Sequence, residues 1–108
     1  MAKQLLIEHE GVTYTLEFTR NSIRQMERQG FRINEVGQQP MTMLPLLFRG
    51  AFLAHHRLLQ DAKIDEIYNT RTHRDELLGA LADMYGAVLN DLMGSDQEDE
   101  GNANWTLV

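Results

Sequence analysis

The first segment of the chain alternates between apolar and polar residues, which is the pattern of a strand with one buried face. Glu10 and Gly11 interrupt the alternation and predict a two-residue turn. With that turn, Ile7 lies opposite Tyr14, and the apolar faces of both strands coincide. The sequence therefore predicts an N-terminal β-hairpin. The apolar face of its second strand is Val12, Tyr14, Leu16 and Phe18.

A helix is predicted directly after the hairpin. Thr19 suits a helix N-cap, because its hydroxyl can accept a hydrogen bond from an amide of the first turn. Gly30 suits the left-handed conformation that ends many helices, and Phe31 can then fold back on Met26. We therefore expect a short helix over residues 20–29, followed by a loop.

The most apolar stretch of the chain predicts a helix over residues 42–60, with Thr42 as its N-cap and Pro45 in its first turn. Its apolar residues occupy nearly every side. Such a helix is either fully buried or shared with a partner, and a domain of this size does not easily bury it. We therefore expect part of this helix to form an interface. The candidate contacts, for a partner or for self-association, are Leu46, Phe48, Phe52 and Leu53.

Two more helices are predicted in the second half of the chain. A brief apolar trio indicates one or two helical turns after Asp61. Thr72 and Asp75 then resemble a capping box, and apolar residues recur at helical spacing until Gly94. A last helix is therefore expected between these two points.

Together these segments predict an α+β fold, in which an N-terminal β-hairpin precedes a mainly α-helical domain of about four helices. The domain is expected over residues 1–94, and a disordered acidic C-terminal tail over residues 95–108. Trp105, the only tryptophan, follows the acidic run. A lone aromatic residue in a tail can anchor a partner, and the alternative is a tail that serves only as a solvated terminus.

Composition and charge narrow the classes of function. The 108 residues are 43% hydrophobic and 24% charged, which suits one soluble core. There is no cysteine, so disulfides and thiolate chemistry are excluded. A formal net charge of -6 without a basic stripe disfavours nucleic-acid binding. The start lacks a signal-peptide core, and charges inside the apolar stretch argue against a membrane span.

The pair His55-His56 is the one feature that suggests a metal or acid–base site. Adjacent helical positions point about 100° apart, so these two side chains do not readily bind one metal ion. A structural role is favoured, with His55 packed on the apolar stripe and His56 at the surface. The chain also lacks a phosphate-binding loop and a nucleophile elbow. We therefore expect no enzymatic activity, no metal and no cofactor.

Several short segments between residues 22 and 93 carry a resemblance to a known family. They are Ser22-Ile23-Arg24-Gln25-Met26-Glu27, Pro40-Met41-Thr42-Met43-Leu44-Pro45, Leu47-Phe48-Arg49-Gly50-Ala51-Phe52, Ile64-Asp65-Glu66-Ile67-Tyr68 and Glu76-Leu77-Leu78. In order and spacing, the chain resembles the siphophage tail assembly chaperone family, small proteins that are encoded among tail genes. The acidic tail that ends in a tryptophan is also similar to this family.

The resemblance implies a non-enzymatic protein that coats the tape measure protein, keeps it soluble and helps to recruit tail tube subunits. Such a protein works in the host cell cytoplasm and is absent from the mature virion. In many such phages it is the short product of a frameshift pair. From the surplus apolar surface of the middle helix, we separately expect a homo-oligomer, either a ring or an open helical array. The alternatives are a structural head–tail connector or other virion component, and a regulator that binds a host or phage protein.

Overall fold

The computed structural model describes residues 4–94, and they form a two-stranded hairpin followed by four α-helices around one hydrophobic core. This order confirms the predicted α+β class, with the hairpin first and the helices after it. The expectations for residues 95–108, Trp105 included, lie outside the described residues. The elements are β1 (Leu5–His9), β2 (Val12–Leu16), α1 (Arg20–Arg28), α2 (Pro40–Gly50), α3 (Asp61–Asn69) and α4 (Arg74–Met93).

The hairpin has the register that the apolar alternation predicts. Glu10 and Gly11 form its turn with φ angles of 53° and 83°. Positive φ at both central residues is what a type I′ turn requires, and this turn matches the twist of the strands. The predicted two-residue connection is thereby confirmed. The pairs include Leu5 with Leu16, Ile7 with Tyr14 and His9 with Val12.

Side chains from later in the chain bind both outer edges of the hairpin. The backbone N–H of Thr15 in β2 donates to Nε2 of His56 at 3.0 Å. On the other edge, Nη1 of Arg71 donates to the backbone carbonyl of Glu8 in β1 at 3.1 Å. Unpaired strand edges invite pairing with other chains. Here these edge groups are bound within the subunit.

Helix α1 has the caps that the sequence predicts at both ends. Oγ1 of Thr19 accepts from the Ser22 N–H at 3.0 Å, and Oγ of Ser22 accepts from the Thr19 N–H at 2.8 Å. At the other end, Gly30 has a φ of 101°, and the Phe31 N–H donates to the Met26 carbonyl at 3.0 Å. These contacts form a capping box and a Schellman motif.

The predicted helix over residues 42–60 is wrong at its start. Helix α2 begins at Pro40, two residues earlier, with Gln39 as its N-cap. Proline suits the first helical position because a backbone N–H at that position has no carbonyl partner within the helix, so its absence costs no hydrogen bond. A short 3₁₀ turn, Ile33–Glu35, lies in the loop before α2. Pro45 therefore lies inside the helix rather than in its first turn.

The prediction is also wrong at the end of the helix, because α2 stops at Gly50. The carbonyl of Ala51 accepts from the backbone N–H of Glu17 at 3.0 Å, whereas a continuing helix would use this carbonyl internally. Gly50 packs so closely on Met26 of α1 that an added Cβ would overlap with the methionine side chain. The chain then turns and buries Phe52 in the core.

Helix α4 begins one residue later than a cap at Thr72 predicts. Its N-cap is His73, which has a φ of 53° and makes no side-chain capping hydrogen bond. The predicted capping box with Asp75 is therefore wrong. The end at Gly94 is confirmed, because this glycine has a φ of 68° and caps the helix in the left-handed conformation. No helix within residues 4–94 combines the length and apolarity needed to cross a membrane.

The largest fully buried side chain among the described residues is Tyr85 of α4, which is 1% exposed. Its ring makes edge-on contacts with Phe18 and Phe31, with ring centroids 5.4 Å apart in both pairs. Phe18 follows β2, and Phe31 follows α1. These contacts therefore join the last helix to the first half of the chain, and edge-on ring pairs add to the stabilisation from burial.

Candidate docking groove

An open groove lies between α2, the end of α3 and the start of α4. Its volume is about 520 Å³, which is within the range of pockets that bind small ligands or peptide side chains. Helix α2 contributes most of its surface. The lining residues are Pro40, Met41, Leu44, Pro45, Phe48 and Arg49 from α2, Asp65, Tyr68 and Asn69 from α3, and Arg74 from α4.

The floor of the groove is apolar. Met41, Leu44, Pro45 and Phe48 follow the spacing that places residues on one face of a helix. The Phe48 ring is 2% exposed and meets the Tyr68 ring edge-on, with the centroids 4.9 Å apart. Met41 at the rim is 89% exposed, and methionine adapts well to irregular apolar partners. Met41 and Pro45 are exposed and Leu44 is half-buried, so the subunit leaves the first part of this apolar stripe open to solvent.

One side of the groove carries an arginine that is already paired. Nε and Nη2 of Arg49 donate to the two carboxylate oxygens of Asp65 at 3.1 and 2.6 Å. Asp61 lies 3.8 Å from Nη1 of the same guanidinium. The hydrogen bond to Asp65 is the main cause that raises the pKa of Arg49. This bidentate pair fixes the position of α3 against α2.

The other side carries Arg74, which contacts Tyr68 of α3. Its guanidinium carbon lies 5.3 Å from the centre of the Tyr68 ring, which is a cation–π distance. Nε and Nη2 donate to the carbonyls of Arg71 and Asn69 at 3.1 and 2.9 Å. Within residues 4–94, no ion pair joins Arg74 to a carboxylate. The groove therefore combines an aromatic floor with an available positive charge.

Comparison with known proteins gives a family but no relative of known function. The whole chain, residues 1–108, matches the family described as a domain of unknown function, DUF5055. The chain belongs to the DUF5055 family. No curated protein and no solved structure matches it. For this DUF5055 protein, function therefore has to be argued from the surface itself.

The predicted contact residues of this DUF5055 protein are separated by the fold. Phe48 and Phe52 are 2% and 1% exposed, so the expectation of surplus surface at these two positions is wrong, because they fill the core. Leu46 and Leu53 are half-buried and line a smaller cleft of about 240 Å³ beside α1. Their role as contacts stays a prediction. Trp105 lies outside the described residues.

The sequence did contain a signal for the groove, at the start of α2. Proline at a first helical position is a known start signal, and a helix starting at Pro40 places Met41 on the same face as Phe48. With Thr42 as the cap, Met41 falls in the preceding loop. No local signal marks Arg74, because it joins the groove only through the packing of α4.

The two adjacent histidines have the reverse of their predicted positions. His56 is half-buried, accepts the Thr15 N–H described above, and has its ring 5.2 Å from that of Tyr14. His55 is exposed and has Nε2 2.6 Å from a carboxylate oxygen of Glu17. The reversal follows from the end of α2 at Gly50, because neither histidine lies on a helix. Both roles are structural contacts.

A second polar cluster joins the hairpin to α3. His9 is 6% exposed, and its Nε2 lies 3.0 Å from a carboxylate oxygen of Glu66. Because a carboxylate only accepts, Nε2 carries the proton. Lys63 lies 3.2 Å from Glu66 and 3.3 Å from Glu10. These contacts lower the pKa of Glu66, and the hydrogen bond from His9 contributes more than the hydrogen bond from Lys63.

The geometry of His9, Glu10 and Glu66 brings their ligand atoms within 4.8 Å of one another, as a metal site would. A metal ion at Nε2 would have to replace the proton that binds Glu66. It would also lie beside the ammonium group of Lys63, which already bridges both carboxylates. The hydrogen-bonded network fits these atoms better than a cation, and it ties β1 to α3.

Proposed function

We propose that this DUF5055 protein is a siphophage tail assembly chaperone. It binds apolar helical segments of the tape measure protein in its groove, keeps that protein soluble in the host cell cytoplasm, and helps to recruit tail tube subunits. The protein acts by binding and is not an enzyme. It leaves the complex when tube subunits assemble, and it is therefore absent from the virion.

The observation that carries the proposal is that the family resemblance and the groove coincide. The segments 40–45, 47–52 and 64–68 carry much of the resemblance to tail assembly chaperones. These same segments supply every lining residue of the groove except Asn69 and Arg74. Segments that a chaperone family shares are expected at its binding surface. The coincidence supports a role for this groove in binding the client protein.

The chemistry of the groove also supports an apolar helical partner. An amphipathic helix binds a groove through apolar residues on one face, and its polar residues remain at the rim. Here the stripe that begins at Met41 would contact the apolar face, and Arg74 would meet an acidic rim residue. One such site buries little area, so its net affinity is modest after the costs of association. Many copies along one long client would bind by avidity and still detach.

Co-expression with the tape measure protein tests this proposal. We expect the wild-type protein to keep the tape measure protein in the soluble fraction and the variant Met41→Glu to lose this effect, because a carboxylate replaces apolar surface in the groove. The matched control is Met93→Glu, which alters a methionine that is 77% exposed and outside the groove. The control should behave as wild type. Equal activity of wild type and Met41→Glu would exclude the groove as the binding site.

The composition of the mature particle separates the chaperone from a structural component. Mass spectrometry of purified virions should detect tube and tape measure proteins and not this chain. Its presence at many copies per particle would favour a head–tail connector or another virion component instead.

A further inference from the structure

The apolar residues of the C-terminal segment are concentrated at one place. Residues 95–104 contain no large apolar side chain, and Trp105 and Leu107 then follow in close succession. Trp105 is the only tryptophan of the chain. Tryptophan is the residue type that most often dominates a protein interface, because it buries a large rigid surface.

The groove offers what such a segment needs. An indole ring fits an apolar site of about 520 Å³ with the aromatic floor formed by Phe48 and Tyr68. The exposed side chain of Met41 can close over an aromatic ring, because a thioether makes favourable contacts with ring edges.

The charges of the segment and the groove are complementary. The acidic residues of the segment, Asp96 and 98–100, immediately precede the stretch that holds Trp105. At the groove, Arg74 has no carboxylate partner within residues 4–94. Arg49 is already occupied by Asp65. Arg74 is therefore a cation that an acidic segment can pair with at the groove.

The groove of the same subunit is a poor acceptor for this segment. Helix α4 has 20 residues and is about 30 Å long, and the groove lies at its start, at Arg74. A fully extended chain covers at most about 3.3–3.6 Å per residue, so the segment from Gly94 to Trp105 spans at most about 36–40 Å and reaches back only when it is largely extended. It would run beside α4, whose exposed surface carries four carboxylates and, after Arg74, no lysine or arginine. These carboxylates belong to Asp75, Glu76, Asp83 and Asp91.

We infer that the segment around Trp105 of one subunit binds in the groove of a second copy of this chain. The segment and the groove are different surfaces at opposite ends of α4, so the contact is heterologous. Heterologous contacts join subunits head to tail and give either a ring or an open array. This inference rests on the proposed function for its role in assembly: the tape measure protein competes for the same groove and displaces the segment.

Tryptophan fluorescence of the full chain tests the docking without any client protein. Because Trp105 is the only tryptophan, its emission reports directly on its surroundings. We expect the emission to shift to shorter wavelength as protein concentration rises, in parallel with an increase in mass by sedimentation. Met41→Glu should raise the midpoint concentration of both transitions by about tenfold or more, and Met93→Glu should leave both in place.

Mixing two variants tests the head-to-tail geometry. Met41→Glu keeps the segment but damages the groove, while Trp105→Ala keeps the groove but lacks the anchor. At a concentration near the wild-type midpoint, each variant alone should be mainly monomeric, and an equimolar mixture should form dimers and no larger species. Dimers in the mixture can arise only if the segment of one variant occupies the groove of the other.

Three results would overturn the inference. They are emission that stays at long wavelength at every concentration, a blue shift that is independent of concentration in a monomeric protein, and a mixture of the two variants that stays monomeric. Solubilisation of the tape measure protein is measured separately, so its outcome does not depend on these results. If both proposals hold, Trp105→Ala binds the tape measure protein more tightly, because its grooves are free.

Discussion

The two ends of this molecule satisfy their surface chemistry in different ways. At the hairpin end, His9 is 6% exposed and donates to Glu66, which also binds Lys63. At the groove end, Met41 is 89% exposed, and Arg74 has no carboxylate partner within residues 4–94. At the hairpin end these charged and polar side chains pair with one another, although Leu6 and Val12 remain exposed. The groove end leaves apolar surface and a positive charge exposed to solvent.

The comparison teaches that an apolar sequence does not by itself locate an interface. Met41 and Phe52 belong to the same apolar stretch, and they differ in exposure between 89% and 1%. The turn after Gly50 sends Phe52 into the core, whereas the early start of α2 leaves Met41 outside. Substitutions at the two positions should therefore separate stability from binding.

The largest effect is expected for Phe52→Ala. Removing a buried phenylalanine should lower the free energy of unfolding by about 3–5 kcal/mol, because the ring no longer contributes its transfer free energy and leaves a cavity in the core. Urea denaturation followed by circular dichroism measures this change. The control Met41→Ala should stay within about 0.5 kcal/mol of wild type, as surface substitutions do. Equal losses for the two variants would contradict the assigned difference in burial.

A smaller effect is expected at the hairpin end for His9→Ala. The variant loses a buried ring and its hydrogen bond to the Glu66 carboxylate, which should cost about 1.5–3 kcal/mol of unfolding free energy. Glu66→Gln retains an acceptor for Nε2 of His9 and should cost less in the same urea titration. If His9→Ala is as stable as wild type, the network does not hold the hairpin on α3.

Acid should weaken the edge of the hairpin through His56. Burial first, and the neighbouring His55 second, lower the pKa of His56 from its usual value of 6.5, so its neutral form is favoured in the folded chain. This contribution to stability is complete above pH 6.5, and it is lost as the pH falls through the lower folded value. The loss should approach that of one neutral hydrogen bond, about 0.5–1.5 kcal/mol.

The control for the pH experiment is His56→Gln. Its side-chain oxygen can still accept the Thr15 N–H, but it does not titrate. The variant should lose the part of the pH dependence between pH 7 and pH 5 that belongs to this position. Other histidines titrate in both proteins, so the difference between the two curves is the quantity to measure. Identical curves would show that His56 does not contribute.

The smallest effect on stability is expected for Arg74→Gln. An exposed cation–π contact with Tyr68 contributes about 0.5–1 kcal/mol, so thermal unfolding should change little. Binding of the tape measure protein should weaken more than stability does, and its dependence on salt should decrease, because a charge at the rim is lost. A variant with wild-type affinity and wild-type salt dependence would remove Arg74 from the site.

Features set by a few neighbouring residues could be predicted from the sequence. The hairpin register follows from alternation around Glu10 and Gly11, and the caps of α1 follow from Thr19 and Gly30. In each case the residues that decide the conformation lie close to one another in the sequence. Such local signals are present in the sequence before any tertiary contact forms.

Features set by tertiary contacts could not be predicted in the same way. The end of α2 depends on the hydrogen bond between Ala51 and Glu17, which lie in different elements of the fold. The reversed positions of His55 and His56 follow from the end of α2 at Gly50. The groove forms only where α2, α3 and α4 pack together. Of its lining, only the segment of α2 that begins at Pro40 is indicated by a local sequence signal.

Amide hydrogen exchange of the complex with the tape measure protein tests the central claim most directly. We predict slower exchange on binding in α2 from Met41 to Phe48 and around Tyr68, with no change in β1 and β2. Protection confined to the hairpin, or no protection at the start of α2, would contradict the claim that this groove is the docking surface.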